Sequence, residues 1–155
     1  MRRVIVRARR LGFLLICVAS VIPVALPAYA AVVLITEEES KLPPLKGAVA
    51  ADRRGITRGP KIEFIADSEP SHSPMHFQLK FVSYGGAKID SDSIKFTYLK
   101  TPSVDLTDRV RPFVQATGID IPDTQLPAGD HMLRVDIKDS DGRVGSTIFF
   151  LKVTP

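Results

Sequence analysis

The 155-residue sequence predicts an all-β fold, an antiparallel β-sandwich with one short helical turn. Apolar and polar residues alternate in several short runs, most clearly over residues 75–81 (MHFQLKF). Such alternation is typical of half-buried strands, because successive side chains point to opposite faces of a sheet. Turn signals rich in Gly, Pro and Asp separate these runs at intervals of about ten residues, which favours a sandwich over other β folds.

The first 30 residues predict a cleavable signal peptide. Five arginines and no acidic residue stand in the first ten positions, and residues 11–26 are uncharged and mostly apolar. The segment ends in Ala28-Tyr29-Ala30, an A-x-A site, so we expect cleavage after Ala30. The apolar run contains Pro23 and is shorter than the ~20 residues that a membrane-spanning helix needs, so no membrane span is expected after cleavage.

Two residue patterns in this segment are relevant to the export route. The pair Arg9-Arg10 is compatible with twin-arginine export, but the residues after it fit that signal loosely, which favours general export. Cys17 follows Ile16, whereas a lipidated cysteine follows a small residue, so Cys17 is interpreted as an apolar residue of the signal. The predicted location of the mature protein is the periplasm or the cell exterior.

Removal of the signal changes the charge of the chain. Five of its 21 basic residues and none of its 17 acidic residues lie in the first 30 positions, which leaves 16 basic and 17 acidic residues. The excess of basic residues belongs to the signal, so no nucleic-acid partner is expected. The mature chain has no cysteine, and its fold must therefore be stabilised by its core without disulfides.

The mature chain divides into two parts. Residues 31–59 have no sustained period and predict a flexible arm or linker with a short strand over residues 32–35, and residues 60–155 predict the sandwich domain. In that domain, alternation predicts strand A over residues 61–65, strand B over 75–81 and strand C over 94–98, with a loop over 83–92.

The region between Pro102 and residue 125 is less regular. Leu106, Val110, Phe113 and Val114 have helical spacing, and Asp105 or Thr107 can cap a helix there. Pro112 limits it to one short turn. Residues 118–121 predict a short strand E.

The last third of the chain predicts a hairpin. Strand F over residues 133–138 and strand G over 147–153 flank an Asp-Gly turn at residues 139–142. Strand G has apolar residues on both faces, with Ile148 and Phe150 on the outer face. That pattern predicts that the helical turn or the arm covers this outer face.

Residues 126–145 (LPAGDHMLRVDIKDSDGRVG), followed by STIFFLKV, resemble the closing hairpin of bacterial immunoglobulin-like domains. The resemblance extends over about residues 60–154 and implies an immunoglobulin-like β-sandwich of a small exported protein. Its implication for function is limited, because sandwiches of this kind serve many unrelated purposes.

No catalytic motif is present. The chain lacks a G-x-S-x-G nucleophile motif, and Gly85-Gly86 lacks the Lys and Ser/Thr that complete a phosphate-binding loop. We therefore predict that the protein is not an enzyme. The favoured function is a binding or adaptor module of the cell envelope, whose partner is an unknown envelope protein or glycan. Three aromatic residues are candidates for exposure in such a contact: Tyr84, Phe113 and Tyr98. The strand parity of Tyr98 favours a place in the core.

The alternative function is divalent-metal binding at one of two sites. Oxygen ligands suit Ca²⁺, and imidazole with thioether suits Cu. The candidate Ca²⁺ ligands lie in the loops after strands B and F: Asp90, Asp92, Asp139 and Asp141. The candidate Cu ligands lie at the starts of those strands: His72, Met75, His76 and His131. Both sets of residues also have a structural interpretation. Asp is common in turns, and the strand period places His131 on the same face as the core residues. No other cofactor is expected.

Overall fold

The computed structural model describes residues 31–45, 59–65 and 71–155. The predicted signal peptide, its cleavage site at Ala28 and Ala30, and residues 46–58 of the predicted arm lie outside these ranges. Within the described ranges, no helix has the length and apolar character needed to cross a membrane.

Two β-sheets pack face to face, which confirms the predicted all-β sandwich. In the described residues, ten strands follow along the chain: β1 (Val32–Val33), β2 (Lys61–Ile65), β3 (Ser71–His72), β4 (Met75–Val82), β5 (Ile89–Tyr98), β6 (Val104–Asp105), β7 (Val114–Gln115), β8 (Gly118–Gln125), β9 (Gly129–Asp139) and β10 (Val144–Thr154). The first sheet has the order β1-β8-β4-β2, with β7 also paired to β8, and the second has the order β3-β10-β9-β5-β6.

The long strands pair antiparallel, as predicted, but both sheets also contain a short parallel pair. β1 runs parallel to β8, and β3 runs parallel to the end of β10. The predicted strands A, B, C, E, F and G correspond to β2, β4, β5, β8, β9 and β10. Side chains of β4 and β9 alternate between buried and more exposed positions, as the sequence pattern requires.

β5 begins at Ile89, so the loop predicted over residues 83–92 is wrong from residue 89 onwards. Asp90 pairs with Lys138 on β9, and a register shift separates this pair from the pair of Lys95 with Asp136. The Ser93 hydroxyl accepts the backbone N–H of Lys138 at 2.8 Å. Polar residues therefore continue the β-ladder across a register shift, and the alternation of apolar and polar residues in the sequence does not reveal this.

The predicted helical turn is present as helix α2 (Thr107–Val110), which continues into a 3₁₀ turn over Arg111–Phe113. The Asp105 carboxylate accepts the N–H of Thr107 at 2.9 Å, and the Thr107 hydroxyl accepts the N–H of Phe96 at 3.0 Å. Leu106 and Val110 are fully buried. These contacts attach the turn to β5 and complete one end of the core.

Residues 31–45, hereafter the N-terminal segment, are part of the sandwich, in contrast to the mobile arm expected for residues 31–59. Leu34 and Ile35 are buried in the core. A second helical turn, α1 (Glu37–Ser40), follows and was not predicted. Thr36 and Glu39 form a reciprocal capping box at its start, which satisfies two backbone N–H groups of the turn.

Side chains of the domain hold the N-terminal segment in place. Arg109 donates two hydrogen bonds of 2.7 Å to the carboxylate of Glu39 and one of 2.8 Å to the carbonyl of Leu34. The Lys100 ammonium donates to the carbonyl of Ser40 at 3.0 Å, and Pro44 forms a β-bridge with Lys100. The segment therefore ends beside the last residues of β5.

Phenylalanines from both sheets form the centre of the core. Phe77 on β4 contacts Phe96 on β5 edge to face, with ring centroids 5.8 Å apart. Phe64 stacks on Phe149 of β10 at 5.3 Å. Contacts of this kind add to the stability gained by burial alone, and they connect the two sheets into a rigid unit.

Candidate functional site

The four aspartates proposed as Ca²⁺ ligands do not form one group. The Asp90 carboxylate accepts the N–H of Asp92 at 3.1 Å, within β5. Asp139 is buried at the end of β9, while the Asp141 carboxylate binds Arg143 at 2.6 Å. Among the described residues, no three or more His, Cys, Asp or Glu side chains are grouped as metal ligands would be.

Asp139 has a structural role in the turn between β9 and β10. Its carboxylate accepts the N–H of Asp141 at 3.0 Å, the N–H of Arg143 at 2.9 Å and the Nε–H of Arg143 at 2.8 Å. Burial acts to raise the pKa of Asp139, but the bonds from Arg143 outweigh it and hold the pKa below its usual value. Gly142 in the turn has φ of 76°, a conformation that favours glycine.

The proposed Cu ligands lie at one end of the sandwich but face different surroundings. His72 Nδ1 is 3.0 Å from the Thr154 hydroxyl at the edge of the second sheet. His76 Nε2 is 2.6 Å from the Asp120 carboxylate on the first sheet. Met75 packs against the core. His131 is buried on the inner face of β9, as its parity predicted. The structure therefore gives each side chain a separate environment.

His131 forms a buried pair with Tyr98. Its Nε2 lies 2.8 Å from the Pro127 carbonyl oxygen, and its Nδ1 lies 2.9 Å from the Tyr98 hydroxyl. Burial lowers the pKa of His131, so the ring is neutral near pH 7. A carbonyl only accepts, so Nε2 carries the proton and Nδ1 accepts from Tyr98. Burial raises the pKa of Tyr98 to about 12, so its hydroxyl remains a donor.

We expect Tyr98→Phe to lower the free energy of unfolding by about 1–3 kcal/mol at pH 8, because Nδ1 of His131 would remain buried without a donor. Urea denaturation measures this value. Tyr84→Phe is the matched control, since Tyr84 is 47% exposed, and its effect should be within about 0.5 kcal/mol. Equal effects of the two variants would show that the Tyr98–His131 hydrogen bond contributes nothing.

The outer face of the second sheet carries an apolar row that runs from β10 across β9 to Leu99, the residue after β5. Phe150 on β10 is opposite Met132 on β9, and the N–H of Leu99, next to β5, donates to the carbonyl of Met132 at 2.9 Å. Phe150 is 68% exposed, the largest exposure among the large hydrophobic side chains of the described residues. We call the surface formed by Leu45, Leu99, Met132 and Phe150 the Phe150 face.

A groove of about 860 Å³ runs over this surface. Phe150 is on one side of it, and Pro44 and Leu45 of the N-terminal segment are on the other, beside Lys100. Leu99 and Met132 lie between them, because β9 and the end of β5 follow β10 in the sheet order. The docked N-terminal segment therefore forms one wall of the groove.

Charged side chains flank the apolar row. Asp130 on β9 is opposite Lys152 on β10, and both line the groove. Both residues are exposed, and neither side chain has a hydrogen bond or ion pair in the part of the chain that the structure describes. On the other side of the row, Arg134 binds the carboxylate of Asp136 at 2.9 Å. Asp130 and Lys152 are thus available to a partner.

The sequence did not indicate Phe150 as a site residue. It placed Phe150 on the outer face of strand G but predicted that this face is covered, and that prediction is wrong at Phe150. The N-terminal segment lies beside Phe150 across the groove and does not cover it. The sequence feature that could have identified Phe150 is an aromatic residue on the outer face of a strand whose inner face is also apolar. Of the three aromatic residues that the sequence selected, Tyr84 is exposed in the connection between β4 and β5, Phe113 is partly buried and Tyr98 is fully buried.

Comparisons with known proteins found no matching family model and no matching curated protein. Among solved structures, CopC from Methylosinus trichosporium OB3b aligns with a TM-score of 0.39 and 15% sequence identity. The alignment covers 61% of this chain and 94% of that chain. Likeness at this level supports no inference about function, so the proposals below rest on the geometry of the chain itself.

Proposed function

We propose that the protein is a non-enzymatic binding module of the cell envelope and that the Phe150 face is its contact surface. The observation that carries this proposal is the exposure of Phe150 beside a groove of about 860 Å³. Small-molecule sites are concave and mostly apolar, with a few polar groups that fix orientation, and the core of a protein interface is likewise apolar with a polar rim. Here the apolar row supplies the contact area, and Asp130, Lys152 and Lys100 supply the polar groups.

The fold supports a binding role because two of the contact residues, Met132 and Phe150, are on rigid strands. Ten residue pairs connect β9 and β10 without a register shift. Side chains on such a ladder lose little conformational freedom when a partner binds, which favours affinity. The pair of Phe150 with Met132 lies towards the end of the ladder that is distant from the turn at residues 139–143.

The strand order also supports the immunoglobulin-like arrangement. Immunoglobulin constant-type domains have strands A, B, E and D in one sheet and C, F and G in the other. β2, β4 and β8 have the places of A, B and E, and β5, β9 and β10 have those of C, F and G. β1, from the start of the described chain, lies in the place of D but runs parallel to β8, in contrast to the antiparallel strand D. Domains of this architecture commonly present one sheet face or one set of loops to a partner.

Photo-crosslinking tests the contact surface. A photoreactive phenylalanine analogue at position 150 of the full chain, expressed in bacteria that export it, should crosslink to a defined partner. The matched control carries the analogue at position 144, because Val144 is 50% exposed on the same strand but far from the groove. Excess wild-type protein should suppress the product, and excess Phe150→Ser protein should not. Absence of a product specific to position 150 would contradict the proposal.

Metal binding stays a prediction without a grouped ligand set in the described residues. A thermal melt of the EDTA-treated protein with Ca²⁺, Cu²⁺ or Zn²⁺ separates the two functions, because a ligand of the folded state raises the melting temperature. A rise with Ca²⁺ alone would favour Asp90, Asp92, Asp139 and Asp141. A rise with Cu²⁺ alone would favour the histidines. The binding-module proposal expects no rise with any of the three ions.

A further inference from the structure

We propose that the partner at the Phe150 face is a second copy of this chain, packed face to face about a two-fold axis that runs parallel to β9 and β10 and between them. This inference rests on the proposed function, because it uses the same contact surface. The register of β9 and β10 and the charges beside the apolar row indicate that a second copy occupies the groove.

The register makes the surface complementary to itself. A two-fold axis parallel to the strands keeps each residue row at its own height and exchanges β9 with β10. The Met132 row of one copy therefore faces the Phe150 row of the other, and the reverse contact occurs at the same time. Such an interface is isologous and closes as a dimer. Aligned strands are also a common arrangement of sheets that pack face to face.

The charges complete this pairing. In the same arrangement, Asp130 of each copy faces Lys152 of the other copy, because these two residues form one row of the ladder. Neither side chain has a hydrogen bond or an ion pair within the described residues, so the dimer forms two ion pairs without breaking existing ones. Complementary charges beside an apolar centre fix the orientation of an interface and exclude wrong ones.

A two-fold axis perpendicular to the strands fits less well. It would place β9 opposite β9, so that Asp130 faces Arg134 and Lys152 faces Ile148 of the other copy. Arg134 already binds Asp136, and Lys152 would face an apolar residue without a counter-charge. Of the two axes, the one parallel to the strands places both Asp130 and Lys152 opposite a residue of opposite charge.

The groove provides the space for the apolar contact. Phe150 of the second copy lies over Met132, and the groove that Leu45 and Leu99 also line is large enough to take an aromatic ring. Each copy inserts one phenylalanine and receives one. Sulfur–aromatic contacts between Met132 and Phe150 add to the burial of apolar surface. Because Pro44 and Leu45 form a wall of the groove, dimer formation requires the docked N-terminal segment.

Charge exchange tests the proposed pairing. Asp130→Lys and Lys152→Asp are prepared separately in the full exported chain, and sedimentation equilibrium measures association over a range of concentrations. The wild type should approach twice the monomer mass. Each variant alone should associate at least about tenfold more weakly, because like charges then face each other across the interface. An equimolar mixture of the two variants should form a heterodimer with affinity close to that of the wild type, because opposite charges face each other again.

The mixture separates contacts between copies from effects within one copy, since each chain keeps its own substitution. Thermal melts at low concentration confirm that both variants fold. Phe150→Ser should abolish association in the wild-type background and in the mixture. A wild type that remains monomeric at the highest concentration, or a mixture of folded variants that does not associate, would overturn the inference.

The two proposals fail in different ways. A crosslink from position 150 to another protein, with a monomeric wild type, would contradict the second copy but support the binding module. A crosslinked product of twice the chain mass would support both. Loss of any product specific to position 150 would contradict the binding module itself.

Discussion

Leu34→Ala should lower the free energy of unfolding by about 2–5 kcal/mol, the range for a buried leucine truncated in a core. Leu34 is fully buried, its N–H donates to the Gln125 carbonyl at 3.0 Å, and its carbonyl accepts from Arg109. The backbone contacts remain in the variant, so the loss arises from the cavity and the missing apolar contacts. Denaturant unfolding at 25 °C measures the difference.

Val33→Ala is the matched control for this experiment. Val33 is the preceding residue of the same segment and is 46% exposed, so its truncation should change the free energy of unfolding by no more than about 0.5 kcal/mol. A mobile arm would give two small and equal effects. The contrast between neighbouring positions therefore tests whether the N-terminal segment belongs to the core.

Glu39→Gln should destabilise the protein by about 2–3 kcal/mol at pH 7 and by progressively less as the pH falls from 5 towards 2. The bidentate hydrogen bond from Arg109 is the main cause that lowers the pKa of Glu39 from 4.5 to about 2. Burial acts in the opposite direction, and hydrogen bonds with Thr36 add to the lowering. The folded state therefore binds fewer protons than the unfolded state between these pH values. The ionised carboxylate stabilises the fold above the unfolded pKa, and this stabilisation is lost as the pH falls through the folded pKa.

Urea denaturation of wild type and variant at several pH values measures this dependence. Glu38→Gln is the control, because Glu38 is exposed on the same helical turn and should give a small difference at every pH. An effect of Glu39→Gln that does not change with pH would mean that the Arg109 contact stabilises the fold by packing and not by charge. The side chain of Glu39 is 17% exposed, so salt should reduce the effect only in part.

The strands with strict alternation were predictable from the sequence. β2 has the predicted bounds, and β4, β9 and β10 extend the predicted strands by a few residues. In each, a side-chain period of two reports the buried face directly. The start of β5 was not predictable in this way, because the backbone N–H of Lys138 donates to the Ser93 hydroxyl and continues the ladder through polar residues.

The N-terminal segment was missed for a different reason. Leu34 and Ile35 form an apolar pair too short to show any period. Their burial depends on partners distant in sequence, among them Arg109, 75 residues after Leu34. Short-range patterns contain no information about such contacts, and only the strand at residues 32–35 was anticipated in part.

Part of the candidate site could be predicted from the sequence. Strand parity placed Phe150 on an outer face, but exposure depends on what packs beside β10, which parity does not specify. The position of Asp130 opposite Lys152 follows from the register of a hairpin that the sequence predicted without fixing its ends. The candidate metal ligands are not grouped in the described residues, because side chains at one end of a sandwich can still face different sides.

The pairing of β1 with β8 also sets an order on the assembly of the molecule during synthesis. Val32 and Val33 pair with Thr124 and Gln125, so residues near the start of the chain acquire their partners only after most of it has been made. Contacts of such long sequence separation form late, because the loop that they close is costly in entropy. Until then, Leu34 and Ile35 remain without a core to enter, and a nascent chain released early would present them to solvent.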